Sequence, residues 1–346
     1  MPELPEVQTV LSGLEKALQG KTILSLECFY QGTVITDPSL DFDPFPARPV
    51  SFIRRGKYML IHLDSGTSLI IHLRMTGKLV IDSPNSGREL PQPTSFLRKQ
   101  EPHQPLGDSC LRRNEGNNTP AEGLPTEGLP NSDLAEAAKL PDIAKSRSLD
   151  KQKDCQSALV STDSVSLKHE RARFILNQGC LLHFIDIRTF GKIVLCRTEN
   201  VPNYLPELGL EPLSKDFTPK ILGEKLKGKK APVKTTLLDQ GIVTGLGNIY
   251  VCELLFRAGI SPLLPANELK PKQIKQIVSE TVEVLREAIA MGGTSISDFR
   301  RIDDKTGEFQ NFLQVYQKQQ CPKGHEVKRI VQAGRATFYC PVCQKG

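Results

Sequence analysis

Chemistry is concentrated at the two ends of this chain. It opens Met1-Pro2-Glu3-Leu4-Pro5-Glu6. Removal of Met1 would leave the secondary amine of Pro2 at the terminus, with the Glu3 carboxylate as its neighbour. An α-amino group titrates at about 7.7–8.0 and a lysine at about 10.4. At neutral pH the free amine is therefore roughly two to three hundred times more populated at the terminus than on a lysine. Such an amine beside a carboxylate is equipped to attack an aldehyde-level carbon and form an iminium, with Glu3 moving the protons. Prolines and acids also favour the first turn of a helix. The hexapeptide alone leaves both readings open.

At the other end, Cys340-Pro-Val-Cys343 is a CxxC knuckle, and Cys321-Pro-Lys-Gly-His325 lies fifteen to nineteen residues upstream. Two such turns brought together by a hairpin form a zinc ribbon, here with Cys321, His325, Cys340 and Cys343 at the tetrahedral corners. One zinc held this way is structural, because four protein ligands leave no open position. The first turn is C-x3-H where C-x2-C is the commoner spacing. A three-ligand cluster with His325 solvated, or no metal, stands as the alternative. Lys318, Lys323, Lys328, Arg329, Arg335 and Lys345 surround the cluster, with Glu326 as the one acid among them. They form either a phosphate-gripping surface or a solvated charge run.

Two further clusters fit a polyanion. Leu246-Gly247-Asn248-Ile249-Tyr250 opens a predicted helix after the Gly241–Gly245 turn. Glycine there admits close backbone approach, the helix N-terminus presents free N–H groups to an anion, and Asn248 adds a side-chain donor toward the same phosphate. An ordinary helix connection is the plainer reading. Arg54-Arg55-Gly56-Lys57-Tyr58 places basic residues on a hairpin turn, from which Lys57 would reach the same ligand.

The elements that must hold these residues follow from periodicity. Val7, Val10, Leu11, Leu14 and Leu18 share one face of a helix predicted over Glu6–Leu18, with Gly20 as its stop. That helix would mount the N-terminus on a core. Short strands follow between Thr22 and Leu79, at Ile23–Phe29, Val50–Arg54, Tyr58–Leu63 and Ser68–Leu73. Residues 84–164 differ in kind, with nine prolines, one aromatic (Phe96) and a Glu-Gly-Leu-Pro repeat at 122–125 and 127–130. Such a stretch cannot bury enough apolar surface to offset its ordering entropy and is expected to be a disordered, low-complexity insert. Recruitment of a protein partner is a separate expectation for it. Strands resume at Arg171–Leu176, Cys180–Ile185 and Lys192–Cys196, so the insert interrupts one domain.

The expected division is 1–83 and 165–200 for an N-terminal domain, 201–213 for a linker, 214–305 for a helical domain and 306–346 for the zinc module. Helices are predicted near 218–227, 232–239, 247–258 and 272–290, the last on the stripe Ile274, Ile277, Val278, Leu285, Ala288 and Ile289. A chain of 346 residues exceeds one typical domain. Net charge of +6 and a pI near 8.8 suit a nucleic-acid partner without demanding one. No run approaches 18 apolar residues and no charged-then-apolar leader precedes the first helix, so neither a membrane span nor an export signal is expected. Of nine cysteines, six (Cys28, Cys110, Cys155, Cys180, Cys196, Cys252) are scattered, which fits a reducing cytoplasm.

In order along the chain, these residues resemble the formamidopyrimidine-DNA glycosylase family, bacterial base-excision repair enzymes also called Fpg or MutM. The resemblance is carried by Pro2-Glu3-Leu4-Pro5-Glu6, Arg54-Arg55-Gly56-Lys57-Tyr58, His72-Leu73-Arg74-Met75-Thr76-Gly77, Asp186-Ile187-Arg188-Thr189-Phe190-Gly191 and Leu237-Leu238-Asp239-Gln240. It continues through Gly245–Tyr250, Gly292–Ser295, Leu313–Tyr316 and Arg335–Cys340. Together these span essentially the whole chain outside the insert. Leu4 is the variant of this branch, where the endonuclease-VIII-type siblings usually carry glycine.

The resemblance implies an α+β multidomain fold: an N-terminal β-sandwich with flanking helices, a helix–two-turn–helix domain and a C-terminal zinc β-ribbon. It implies a monomer in the bacterial cytoplasm with double-stranded damaged DNA in its cleft, acting as a bifunctional DNA glycosylase and AP lyase on oxidised purines. In that reading Pro2 attacks the deoxyribose C1′, releases the base and leads through a Schiff base to β- and δ-elimination. Glu3 is implied as general acid/base and Glu6 as a supporting carboxylate. Lys57, Asn248 and Arg335 match phosphate contacts around the flipped nucleotide, and His169 matches another DNA contact. Met75, Arg188 and Phe190 match a wedge that fills the void left by the extruded base, where an apolar side chain and a guanidinium partly replace lost stacking. Outside the family context, Met75 and Phe190 read as core.

Three departures stand out. Ile187 and Thr189 replace a proline and a second arginine, Gly324 stands where a zinc cysteine usually sits so that His325 must substitute, and the insert is foreign to the family. The loop Asp298–Gly307 bears on lesion choice and leaves 8-oxoguanine and ring-opened purines undistinguished. Two rival readings are a catalytically silent damage binder, which has no need of both Pro2 and Glu3, and the sibling enzyme for oxidised pyrimidines, which Leu4 and the Arg188/Phe190 pair disfavour.

Overall fold

The computed structural model describes residues 1–82, 167–295, 302 and 306–345. The expected insert at 84–164 lies outside the described residues, as do 298–301 and 303–305 of the loop tied to lesion choice.

Helix α1 (Leu4–Leu18) begins two residues before the predicted start. Pro5 is tolerated there because first-turn N–H groups lack intrahelical acceptors, and Glu6 reaches back to accept the Glu3 N–H at 2.8 Å. Val7, Val10, Leu11, Leu14 and Leu18 are all buried. Gly20, just past the end, takes φ +70°, the left-handed stop that glycine makes easily.

Nine strands follow among the described residues: β1 (Ile23–Cys28), β2 (Val34–Thr36), β3 (Pro49–Arg55), β4 (Tyr58–Leu63), β5 (Thr67–His72), β6 (Gly77–Asp82), β7 (Glu170–Leu176), β8 (Leu181–Asp186) and β9 (Lys192–Arg197). One sheet is ordered β1-β7-β8-β6 and the other β2-β9-β5-β4-β3. β2 and β6 add to the expected strands; β2 is three residues long and pairs parallel to β9, a partnership with no local signal. The inner faces of both sheets and α1 share one core that includes Met59, Ile61, Ile71, Leu79, Phe174 and Phe184. β5 and β9 are neighbours in one sheet, and β6 and β8 are neighbours in the other. The chain crosses between sheets at β5–β6 and at β8–β9, so the corner loops 73–76 and 187–191 lie side by side.

Helix α2 (Val201–Tyr204) packs on the sandwich, Val201 lying with Leu60, Ile70, Val194 and Cys196 of β4, β5 and β9. The helical lobe holds α3 (Pro219–Leu226), α4 (Val233–Leu237), α5 (Asn248–Arg257) and α6 (Pro271–Ala290). Its core of Leu222, Leu237, Tyr250, Leu254, Ile277 and Leu285 also takes in Leu4, whose N–H donates to the Gly245 carbonyl at 3.0 Å. The residue that opens α1 thus packs in the helical core while Val7, Val10, Leu11, Leu14 and Leu18 of the same helix pack in the sandwich core. The chain start is a strap across the junction. At the far end β10 (Lys328–Gln332) and β11 (Arg335–Tyr339) form an antiparallel hairpin, tied to α5 through a small cluster of Cys252, Phe256, Val315, Cys321 and Cys340. No helix among the described residues is long and apolar enough to cross a membrane.

Candidate active site

The strap puts Pro2, Glu3 and Glu6 at the junction of the lobes, all three buried while Met1 is 41% exposed. The Glu3 carboxylate sits on the N-terminus of α5. Its Oε1 accepts the Ile249 N–H at 2.9 Å and its Oε2 the Tyr250 N–H at 3.4 Å. This corrects the expectation that these N–H groups are free for a phosphate: the anion at the positive helix end is the chain's own Glu3. Gly247 admits the approach, since a Cβ there would stand 2.2 Å from Glu3 Cδ. Glu6 has its own seat, accepting from the Tyr250 hydroxyl at 2.5 Å and the Thr294 N–H at 2.7 Å. Tyr250 spends its single proton on Glu6, so the Thr294 hydroxyl, 2.9 Å away, donates to Tyr250.

Burial pushes the Glu3 carboxyl up to about 7. The Lys57 ammonium pulls it down, Glu6 pushes it up again, and the two N–H groups pull it down. A carboxyl that titrates at neutrality can hold or release a proton as needed, which suits general acid–base work. Burial also raises Glu6, against its hydrogen bonds from Tyr250 and Thr294. Lys57 is 5% exposed; burial lowers its ammonium, Glu3 acts against that and Arg335 adds to it. Lys234 in α4 is fully buried and lowered for the same reason, and its Nζ has no hydrogen-bond partner among the described residues. His72 is pushed down to about 3 by burial, with Arg74 and Lys57 adding to the effect, so it stays neutral. Its Nδ1 accepts the Arg74 N–H at 3.0 Å, one residue before Met75.

Of the basic turn at 54–57, Lys57 joins this group and the arginines do not. Arg54 pairs with Glu211 at 2.5 Å, Arg55 donates to the Leu208 and Gly209 carbonyls at 3.0 and 2.8 Å, and the Gly56 N–H meets Glu211 at 2.9 Å. They clamp the turn to the linker. Arg335 opens β11, exposed, with its charge felt at Lys57 and Lys234. Asn248 spends one of its two amide N–H groups on the Ala336 carbonyl at 2.8 Å, tying α5 to the hairpin that carries Arg335, and its Oδ1 has no partner among the described residues.

Met75 and Phe190 are 41% and 51% exposed, each in one of the paired corner loops rather than in the core. The Arg188 guanidinium lies 5.1 Å from the Phe190 ring centroid. His169 ends the turn before β7, its Nδ1 3.4 Å from Arg171, which in turn donates to the Asp186 carbonyl at 2.7 Å. His169 therefore stands beside the same corner.

Cys321, His325, Cys340 and Cys343 bring one ligand atom each to within 4.8 Å of one another. Zinc bonds of about 2.3 Å to sulfur and about 2.0–2.1 Å to nitrogen give tetrahedral edges of about 3.8 Å between sulfurs and about 3.6 Å between nitrogen and sulfur. Cys321 and Cys343 sulfurs are 3.9 Å apart, and His325 Nδ1 lies 3.7 Å from Cys321 and 3.3 Å from Cys343. The donor set fits one structural zinc, with three thiolates and an imidazole and no open position.

Tyr250, Thr294, Lys234 and His72 were not anticipated as parts of the site. Tyr250, Thr294 and His72 stand inside motifs quoted above, but their partners lie far off in the chain. Lys234 had one usable signal, a lysine between the apolar Val233 and Leu237 of a short helix.

These features agree with known proteins. A family model described as the formamidopyrimidine-DNA glycosylase N-terminal domain matches residues 1–108, the H2TH domain of the same enzymes matches 208–300, and a zinc finger found in FPG and IleRS matches 324–346. Formamidopyrimidine-DNA glycosylases of Dinoroseobacter shibae and Ruegeria pomeroyi are each 33% identical to this chain over the whole of both. The structure of a Lactococcus lactis FPG mutant with a Fapy-dG-containing DNA superposes with a TM-score of 0.71, and that of MutM with carbocyclic 8-oxo-G DNA with 0.70, each at 30% identity over the whole of both chains. A two-sheet sandwich, a helix–two-turn–helix lobe and a zinc finger make this the architecture of a DNA-repair glycosylase. The chain belongs to the formamidopyrimidine-DNA glycosylase family.

Proposed function

We propose that Pro2, freed by removal of Met1, is the nucleophile of this DNA glycosylase for oxidised purines, and that Glu3 is its acid–base partner. The observation that carries this is the Glu3 carboxyl, adjacent to Pro2, buried and titrating at about 7. The Pro2 nitrogen attacks C1′ of the damaged nucleotide as the glycosidic bond breaks and the base departs. Glu3 protonates the ring oxygen, and the sugar opens to an iminium. Loss of a C2′ proton expels the 3′ phosphate, loss of a C4′ proton expels the 5′ phosphate, and hydrolysis returns Pro2.

Lys57 and Arg335 act with this pair, and with Asn248 they hold phosphates around the flipped nucleotide, while His169 takes another. Glu6 fixes the strap by accepting the Glu3 N–H. Met75, Arg188 and Phe190 fill the void, which their exposure on paired corner loops supports. The sandwich carries the nucleophile, and the helical and zinc modules grip damaged duplex DNA, with one chain sufficing in the bacterial cytoplasm. A protein partner for residues 84–164 is a separate proposal, tested by deleting them and measuring recruitment.

Incubation with a duplex carrying 8-oxoguanine opposite cytosine, followed by borohydride, should trap a covalent adduct that maps to Pro2. Tight binding without any adduct would overturn the assignment in favour of a silent binder.

A further inference from the structure

The three wedge residues come from two different loops, and one buried carboxylate joins those loops. Asp186 is the last residue of β8, 1% exposed, and is paired across the sheet with Gly77 of β6. Its Oδ1 accepts the Thr76 hydroxyl at 2.5 Å and the Arg188 N–H at 3.2 Å, and its Oδ2 accepts the Gly191 N–H at 2.7 Å. Thr76 closes the link from the other side, its Oγ1 accepting the same Arg188 N–H at 3.1 Å. Gly191 leaves room for this: a Cβ there would stand 2.6 Å from Phe184 Cζ and 3.1 Å from Asp186 Oδ2. The Asp186 main chain is pinned as well, its carbonyl accepting from Arg171.

Each loop also carries a non-glycine residue in the left-handed region beside a wedge residue. Arg74 (φ +53°) precedes Met75, and Thr189 (φ +61°) separates Arg188 from Phe190. Such conformations persist only where the surroundings over-determine them. Asp186 supplies the restraint on 186–191 and, through Thr76, ties it to the loop of Met75. A wedge that enters a base stack must arrive as one rigid unit, because ordering three separate side chains at the moment of extrusion would cost entropy just when stacking is being lost.

We propose that Asp186 is a positioning residue for base extrusion, with Thr76 as its relay: it holds Met75, Arg188 and Phe190 as one preassembled wedge without itself touching DNA. This rests on the wedge reading of those three residues.

The test compares two substrates on the full-length protein: excision of 8-oxoguanine from a duplex, which requires extrusion of a stacked base, and strand cleavage at a preformed abasic site in the same duplex, where no damaged base has to be unstacked. The variants are Asp186→Asn, Thr76→Val, Thr76→Ser and Phe190→Ala. Asp186→Asn turns an N–H pair toward one of the three donors, and Thr76→Val removes the relay at constant shape. Both should lower the excision-to-cleavage ratio about tenfold, the effect of one lost hydrogen bond to a charged group. Both should also slow the fluorescence rise of a 2-aminopurine placed beside the lesion. Thr76→Ser, which keeps the hydroxyl, should restore both. An unchanged ratio in Asp186→Asn and Thr76→Val, alongside a fall in Phe190→Ala, overturns the clamp. An unchanged ratio in Phe190→Ala shows instead that the wedge reading itself fails. If Asp186→Asn does not fold by circular dichroism, the Thr76 pair decides alone.

Discussion

Replacing Gly247 by alanine would isolate the seat of Glu3. Gly247 has φ −140° and ψ −166°, extended backbone that alanine adopts without strain. The three atoms nearest to an added Cβ all belong to Glu3: Cδ at 2.2 Å, Oε1 at 2.4 Å and Cγ at 2.6 Å. Ordinary carbon–carbon contact is about 3.5–4.0 Å, so the carboxylate must retreat by more than ~1 Å. It then leaves the N–H groups of Ile249 and Tyr250, and a misplacement of ~1 Å at a reacting group costs about 100-fold in rate. Loss of those donors also raises the Glu3 carboxyl further, since both act to lower it. The assay is single-turnover excision of 8-oxoguanine from a duplex across pH 5–9, with melting temperature and zinc content measured on the same preparation. We expect a rate about 100-fold lower, a pH profile displaced upward, and parental zinc content. A folded Gly247→Ala protein with a rate within about twofold of the parent would refute the seat.

Three further outcomes follow from the geometry. Glu3 rises from 4.5 to about 7 on folding, so between those values the folded state binds the additional proton; its contribution to stability is fully present below about pH 4.5 and is lost as pH rises through about 7. At 1.36 kcal/mol per unit this is ~3 kcal/mol, so Glu3→Gln should gain more in melting temperature over the parent at pH 8 than at pH 5; equal gains would contradict the shift. His325→Ala should lose zinc by metal analysis and weaken DNA binding as the hairpin loosens, and undiminished zinc would remove His325 from the ligand set. Arg54→Ala should leave the largely buried Glu211 short of a partner and cost about 3 kcal/mol in urea denaturation; a loss under ~1 kcal/mol would mean the linker clamp is dispensable.

Much of this protein can be read from the chain alone, because helices, strands and metal knuckles depend on residues a few positions apart. The stripe of α1, the long α6, most sandwich strands and the cysteine–histidine spacing are local signals, and the structure places them where periodicity predicts. The order of nine motifs was sufficient to indicate the family. Tertiary structure alone decided who meets whom. Arg54, Arg55 and Lys57 look alike in sequence, yet two bind the linker and one enters the site. The N-terminus of α5 looked like a phosphate cradle and is filled by Glu3, 246 positions away in sequence. Met75 and Phe190 had the composition of core residues and are exposed, because both strand crossings fall at one corner of the sandwich. The acidity of Glu3 is the clearest case. Its neighbour and its type are written in the first three residues, but its value near 7 comes from burial between two lobes, and desolvation is a property of what packs around a carboxyl, not of what precedes or follows it.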